Sequence, residues 1–154
     1  MKTLLTREEF KKQVFARDND KCIYCSKVGV DAHHLIERKL FSDGGYYLDN
    51  GVTLCELHHW DAERTRISCD MLRAGAKIRN VILPNQFDDQ YEYDKWGNIL
   101  LLTNVYTYHP DQSFTSYRQV LVPGPLFYEE NVQKVLKWKL IPKVGDPLII
   151  LHTK

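Results

Sequence analysis

An α+β chain is what the sequence predicts, and three features predict it. A capped, partly apolar segment opens the chain, two short apolar stretches around a turn-rich loop lead straight into a run of helix formers, and aromatic and β-branched residues alternate in the last third. Thr6 with Glu9 three residues on makes a capping box. Phe10, Val14 and Phe15 then line one face at helical spacing, so Arg7 to Arg17 reads as a helix that ends in the polar turn Asp18-Asn19-Asp20. Val28, Val30, Leu35 and Ile36 around His33-His34 read as a strand feeding a loop. Gly44-Gly45 and Asp49-Asn50-Gly51 are turn formers ahead of a second strand, Val52 to Leu54.

Cys55 to Arg66 contains no Gly or Pro and follows as a helix, which makes the local unit ββα. Ser68 caps a second short helix through Met71 to Ala74, broken near Gly75, and Val81 to Leu83 is extended up to Pro84. The acidic, aromatic stretch FDDQYEYDKWGN marks a boundary between residues 84 and 95. Beyond it, Ile99 to Tyr108 and Phe114 to Val122 read as strands paired across a His-Pro-Asp-Gln turn. A helix from Glu129 to Trp138 and a strand from Leu148 to His152 complete the reading.

At 154 residues the chain has room for one compact domain or two small ones. Its 44% hydrophobic and 27% charged residues are those of an ordinary globular protein, which excludes disordered and collagen-like classes. Apolar runs such as Ile99 to Leu102 fall far short of the roughly 20 residues that span a bilayer, so no membrane role is expected. MKTLLTREEF lacks the apolar core of a secretory signal, and a cytoplasmic location is the expectation. The net charge of +1 excludes coating of nucleic acid by bulk charge. Nine basic and six acidic side chains over residues 1–42, five and ten over 43–94, and seven and four over 95–154 set two basic ends around an acidic middle suited to cations. Solvated surface charge accounts for the same pattern.

The cysteines narrow the chemistry. Cys22 and Cys25 form a C-x-x-C, and Cys55 and His58 repeat the spacing at the start of the predicted helix. A reducing compartment disfavours disulfides, and a thioredoxin-like site would need a βαβ context that is absent around Cys22. Three thiolates and one imidazole are a closed tetrahedral zinc set. Cys69 fits neither spacing and reads as a buried thiol.

Four of the six histidines come in adjacent pairs, His33-His34 and His58-His59. Successive helical residues are turned by roughly 100°, so His58 and His59 belong to different sites. Neighbours on a strand alternate in direction, so one of His33 and His34 can hold a cation while the other moves a proton. An imidazole with an ordinary pKa of about 6.5 is suited to accept a proton from water. A cation on His33 and His59 would stabilise charge developing on a phosphate, the combination of a metal-assisted phosphodiester hydrolase. Asn50 is placed to fix the loop or orient the base. Glu63, one turn beyond His59, is a third ligand, a partner for His59, or a solvated helical Glu.

The strings CIYC, AHHLIE, GGYYLDNGVTLC and ELHH, spread over roughly residues 10–65, resemble the HNH endonucleases, ββα-metal nucleases with an embedded zinc knuckle. The resemblance covers just over a third of the chain. It implies that His34 is the general base, Asn50 the middle Asn and His59 the final, metal-binding His, with Cys22, Cys25 and Cys55 as structural zinc cysteines. Two positions depart from the pattern. His33 stands where many members carry Asp, resembling the His-His arrangement of colicin-type nucleases, and His58 stands where a fourth zinc Cys is usual. Two imidazoles shift the preferred catalytic cation toward Mn2+, Zn2+ or Ni2+, although Mg2+ can serve where phosphate and water complete the shell.

The expected architecture is thus a zinc-stapled ββα-metal (HNH) module over residues 1–67 with a small β-rich C-terminal extension, residues 68–154, of unassigned role. The expected activity is metal-dependent cleavage or nicking of DNA, with Arg38 and Lys39 as candidate phosphate contacts. A homodimer or a partner protein would supply tight sequence-specific binding. Relatives of this kind serve phage, mobile elements, restriction or DNA packaging. Two alternatives stand beside it, a non-catalytic zinc-stabilised nucleic-acid adaptor and an RNA-directed nuclease. The aromatic run with Tyr91, Tyr93, Trp96, Tyr106, Tyr108 and Tyr117 reads as sheet core in preference to a base-stacking surface. His109 and His152 have no assignable partner.

Overall fold

The computed structural model describes residues 2–100, 105–109, 112–136 and 149–151, with side chains over 2–100 and 120–136. Helix α1, Arg7–Arg17, begins at the reciprocal Thr6–Glu9 capping box, which satisfies two N-terminal amides that would otherwise lack partners. Its Phe10 and Val14 are buried against a two-stranded antiparallel hairpin, β1 (Asp31–His34) and β2 (Gly51–Leu54). The register pairs Asp31 with Leu54, Ala32 with Thr53, His33 with Val52 and His34 with Gly51.

Gly51 has to be glycine for α1 to sit there. A Cβ at this position would lie 2.4 Å from Phe10 Cζ and 2.8 Å from Val14 Cγ2. Arg17 locks the same junction, donating to Leu48 O at 3.0 Å and Gly51 O at 2.6 Å, while Asp18 accepts from Thr53 N at 2.8 Å.

Helix α2, Glu56–Glu63, follows β2 directly, so the chain contains an antiparallel hairpin followed by a helix. It is shorter at both ends than the predicted Cys55 to Arg66. Cys55 is the N-cap, its sulfur accepting from His58 N, and Thr65 adopts a positive φ of 61° just past the C-cap Arg64. Helix α3, Cys69–Ala76, is capped by Ser68 and continues through Gly75, where a break was expected. There a Cβ would stand 3.0 Å from Ile23 Cδ1, so the glycine lets this face come close to the knuckle, and the helix ends instead at left-handed Lys77.

A five-stranded sheet forms the second layer, from β3 (Glu92–Tyr93), β4 (Ile99–Leu100), β5 (Val105–His109), β6 (Gln112–Val122) and β7 (Ile149–Leu151). Its order is β3-β4-β6-β5, with β7 also on β6, and every pairing is antiparallel. Within the expected strand from Ile99 to Tyr108, both described pieces, β4 and β5, pair antiparallel with β6, and residues 101–104 lie outside the described residues. Helix α4 spans Glu130–Leu136, and residues 81–83 join no sheet among the described residues, although Ile82 is buried. Trp138, His152 and the Pro110-Asp111 turn lie outside the described residues, as do the side chains of Tyr106, Tyr108, His109 and Tyr117.

Three apolar clusters hold these elements together. Phe10, Val14 and Ala32 join α1 to β1, and Leu35, Val52, Leu54, Ala62, Ile67 and Leu72 lie under α2 and α3. The largest packs Ile36, Leu40, Phe41 and Tyr47 of the hairpin loop against Cys69, Tyr93, Trp96, Leu100, Val120 and Phe127. Residues from both sides of position 67, and from both sides of the 84–95 stretch, thus share one core. Tyr93 and Trp96 are sheet core as expected, while Tyr91 is half exposed.

Candidate functional site

Among the described residues, two groups of potential metal ligands converge, Cys22–Cys25–Cys55–His58 and His33–His59–Glu63, with the ligand atoms of each within 4.8 Å of one another. The first is built on a tight turn. Cys22 N donates to Lys27 O at 2.7 Å, Ser26 N donates to Cys22 O at 2.9 Å, and Ile23 N ties the turn to Thr53 O of β2 at 3.0 Å. Cys55 at the helix cap and His58 one turn later complete the set. Cys25 Sγ lies 3.7 Å from Cys55 Sγ, and His58 Nδ1 lies 3.3 Å from Cys55 Sγ and 3.6 Å from Cys22 Sγ. A tetrahedral centre with Zn–S bonds of about 2.3 Å spaces its sulfurs about 3.8 Å apart, so donors and spacing both fit a structural zinc ion. The Tyr24 ring packs 4.7 Å from that of His58.

The second group uses the alternation of β1 and the turn of α2. Asp31 and His33, two apart on the strand, meet His59 and Glu63, four apart on the helix. Glu63 Oε1 lies 3.3 Å from His59 Nε2 and 3.6 Å from His33 Nδ1, and Asp31 Oδ2 lies 3.0 Å from His59 Nε2. His33 is 1% exposed, and neither of its ring nitrogens has a hydrogen-bond partner among the described residues. A buried imidazole with unmet nitrogens facing a carboxylate and a second imidazole is a donor set suited to a divalent cation. Burial, then the nearby Lys95 ammonium, holds the His33 pKa well below the ordinary value. His59 goes the other way, raised to about 9 by its hydrogen bonds to Asp31 and then Glu63.

His34 points to the other face of β1, toward α1. Its ring stacks on Phe10 at 4.5 Å and meets Tyr46 edge-on at 5.2 Å. Burial, reinforced by Lys95, lowers its pKa to about 4, so the ring is neutral at physiological pH. Both histidines open on a cleft of about 260 Å³ that Arg7, Lys11, Arg38, Tyr46, Glu37 and Lys95 also line.

The remaining predicted residues divide. Glu63 belongs to the second cluster. Asn50 is buried and does not line the cleft; its amide accepts from Ile36 N at 3.1 Å and donates to Ile36 O and Gly45 O at 3.1 and 3.2 Å. These bonds pin the hairpin loop, the first of the two roles considered for it. Arg38 faces the cleft and donates to Tyr46 Oη at 3.2 Å, whereas Lys39 lies outside it, 4.0 Å from Glu129. Cys69 is buried, donates to Leu35 O at 3.3 Å, and burial raises its thiol to about 11.

Spacing did not single out four further groups. Asp31 carried a usable signal, being two residues from His33 on a strand, and so did Arg7 and Lys11, one turn apart on α1. Lys95 carried none. It is 5% exposed, and its ammonium donates to His34 O at 3.0 Å and lies 3.3 Å from Glu37 Oε2 and 3.6 Å from Glu63 Oε1. A turn capped by Asp94, which accepts from Trp96 N and Asn98 N at 2.9 Å, delivers it there. Trp96 Nε1 anchors the turn to α2 through Glu63 O at 2.8 Å.

Compared with protein-family models, with curated proteins and with solved structures, the chain matches none. Two potential metal-coordinating clusters, one Cys/His and one His/Glu, on an α+β scaffold are consistent with a metal-dependent, nuclease-like site. No helix among the described residues is long and apolar enough to cross a membrane.

Proposed function

We propose that this chain is a metal-dependent endonuclease of the HNH type that hydrolyses DNA phosphodiester bonds, with His34 as general base. The observation that carries the reading is the divergence of His58 and His59. One enters a Cys3His knuckle, while the other meets His33 and Glu63 next to a second, differently oriented histidine. A fold that needed only zinc would not require the second cluster.

His34 is neutral near pH 7, packs against Phe10 and Tyr46 and lines the cleft, so it can take a proton from a water there. His33, His59 and Glu63 would hold a divalent cation, Mg2+ or Mn2+ with Zn2+ and Ni2+ as further candidates, which supplies Lewis-acid stabilisation of the phosphate and its leaving oxygen. Arg7, Lys11 and Arg38 line the approach and are suited to phosphate oxygens. Asn50 keeps the loop that carries Arg38 and Tyr46 in register with β1. Cys22, Cys25, Cys55 and His58 would hold structural Zn2+, which staples a turn that has little core of its own. Sequence-specific binding would draw on a second copy or a partner protein.

Incubation of supercoiled plasmid with the zinc-loaded protein and Mn2+ tests this. Nicking is expected, with a loss of about 10²–10⁴-fold in His34→Ala and unchanged zinc content. No nicking by the wild type, and no difference in the variant, favours the zinc adaptor. Faster cleavage of a matched RNA strand than of DNA moves the substrate to RNA.

A further inference from the structure

Lys95 is placed unusually for a lysine, since a buried ammonium requires partners for its charge. Among the described residues these are the Glu37 carboxylate, the His34 carbonyl, Glu63 Oε1 and the face of the Trp96 ring, 5.3 Å from the ammonium. Glu63 Oε1 is the atom that also faces His33 Nδ1 and His59 Nε2. A cation held by His33, His59 and Glu63 and the ammonium of Lys95 therefore draw on the same oxygen. Two positive charges sharing one carboxylate oxygen in a partly buried site repel, so occupancy by one weakens the hold of the other.

We propose that Lys95 is a positioning residue that competes with the divalent cation for Glu63 and thereby sets the cation affinity of the site. Without the cation, the ammonium compensates the charge of the Glu63 carboxylate, which His59 also holds at 3.3 Å. When a cation takes Glu63, Lys95 retains Glu37 and the His34 carbonyl and stays against the backbone of the proposed base. The segment after residue 84 thus acquires a role, because it delivers the charge that tunes a site made otherwise by β1 and α2. The proposal rests on the cation site of the function proposed above, but its test does not depend on cleavage.

Mn2+ binding to zinc-loaded full-length protein is measured by calorimetry, with Glu63→Gln as the control that removes the site. In Lys95→Met, which keeps the aliphatic stem and loses the charge, Mn2+ affinity is expected to rise roughly tenfold or more. A purely structural role for Lys95 predicts the opposite sign, since a disordered site binds more weakly. Unchanged or weaker Mn2+ binding in a folded Lys95→Met protein overturns the proposal, and so does the absence of Mn2+ binding in both proteins. Should the methionine variant not fold, the wild type decides. The ammonium resonance of Lys95, held by three acceptors, is expected to shift as Mg2+ displaces it from Glu63, and a Mg2+ titration that leaves it in place overturns the proposal. Tighter Mn2+ binding in Lys95→Met with no plasmid nicking by the wild type would sink the nuclease reading and leave the Lys95 proposal standing.

Discussion

His33 and His34 are neighbours with different surroundings, yet burial pushes both toward the neutral form. A histidine whose pKa is lowered on folding to about 4 loses protons that the unfolded chain, titrating near 6.5, would keep. The stability it contributes is complete above the unfolded value and is lost as pH falls from there through about 4. Unfolding by urea is thus expected to become easier across this window. His34→Phe, which keeps an aromatic ring against Phe10, should flatten the dependence by about 1–3 kcal/mol between pH 7 and pH 4. Equal slopes in wild type and variant would show that His34 is not held neutral. The residue that reverses this pattern is His59, raised to about 9 by Asp31 and Glu63. Such a ring must surrender its proton before it can ligate, so Mn2+ binding at pH 7.5 is expected to release close to one proton per ion, read from the buffer dependence of the binding enthalpy.

At the scale of elements, the two clusters follow from two periodicities. The turn of α2 separates His58 from His59, and the alternation of β1 separates His33 from His34. Both are local rules, which is why the ligand groups were legible from spacing alone. Glu63 was legible only as one turn from His59, a position equally compatible with a ligand, a partner for His59 or a solvated surface residue. Where geometry is set across the chain, spacing had no purchase. The role of Asn50 depends on which carbonyls its amide reaches, and the ends of α2 depend on the Thr65 backbone and on what packs below. Gly51 shows such a dependence in a form that can be tested. Its missing Cβ is what admits Phe10, and Phe10 is the ring on which His34 stacks. Gly51→Ala should destabilise the protein by about 1–3 kcal/mol through overpacking, seen as a lower urea midpoint with unchanged slope. It should also slow the proposed nicking with little change in zinc content, because the knuckle ties to Thr53 of β2 and to Cys55 just after it, while a Cβ at Gly51 would meet α1 side chains.

For the whole molecule, the question is how far a module ending near residue 67 stands alone. Every potential ligand of both clusters lies before that position, which is where spacing alone puts the module boundary. The core does not respect the division. Ile36, Leu40, Phe41 and Tyr47, all within 8% exposed, are covered by Cys69, Tyr93, Trp96, Leu100 and Phe127, and Lys95 enters from 61 residues beyond His34. No periodicity could announce that contact, since a turn closing onto the cleft is a property of the assembled fold. The two clusters are accordingly expected to respond differently when the chain is cut. In a fragment of residues 1–67, the knuckle keeps its four donors and its anchor on β2, so zinc should still bind one to one. The hairpin loop loses its cover, so the fragment should bind a hydrophobic dye and melt without a sharp transition. Glu63 loses the Trp96 hydrogen bond to its backbone carbonyl, leaving His33 and His59 with a carboxylate on an unanchored helix end. Mn2+ affinity in the fragment should then be weaker than in the full chain, even though the competing ammonium is gone. A fragment that melts cooperatively and binds Mn2+ as tightly as Lys95→Met would show instead that residues 1–67 are a self-sufficient module.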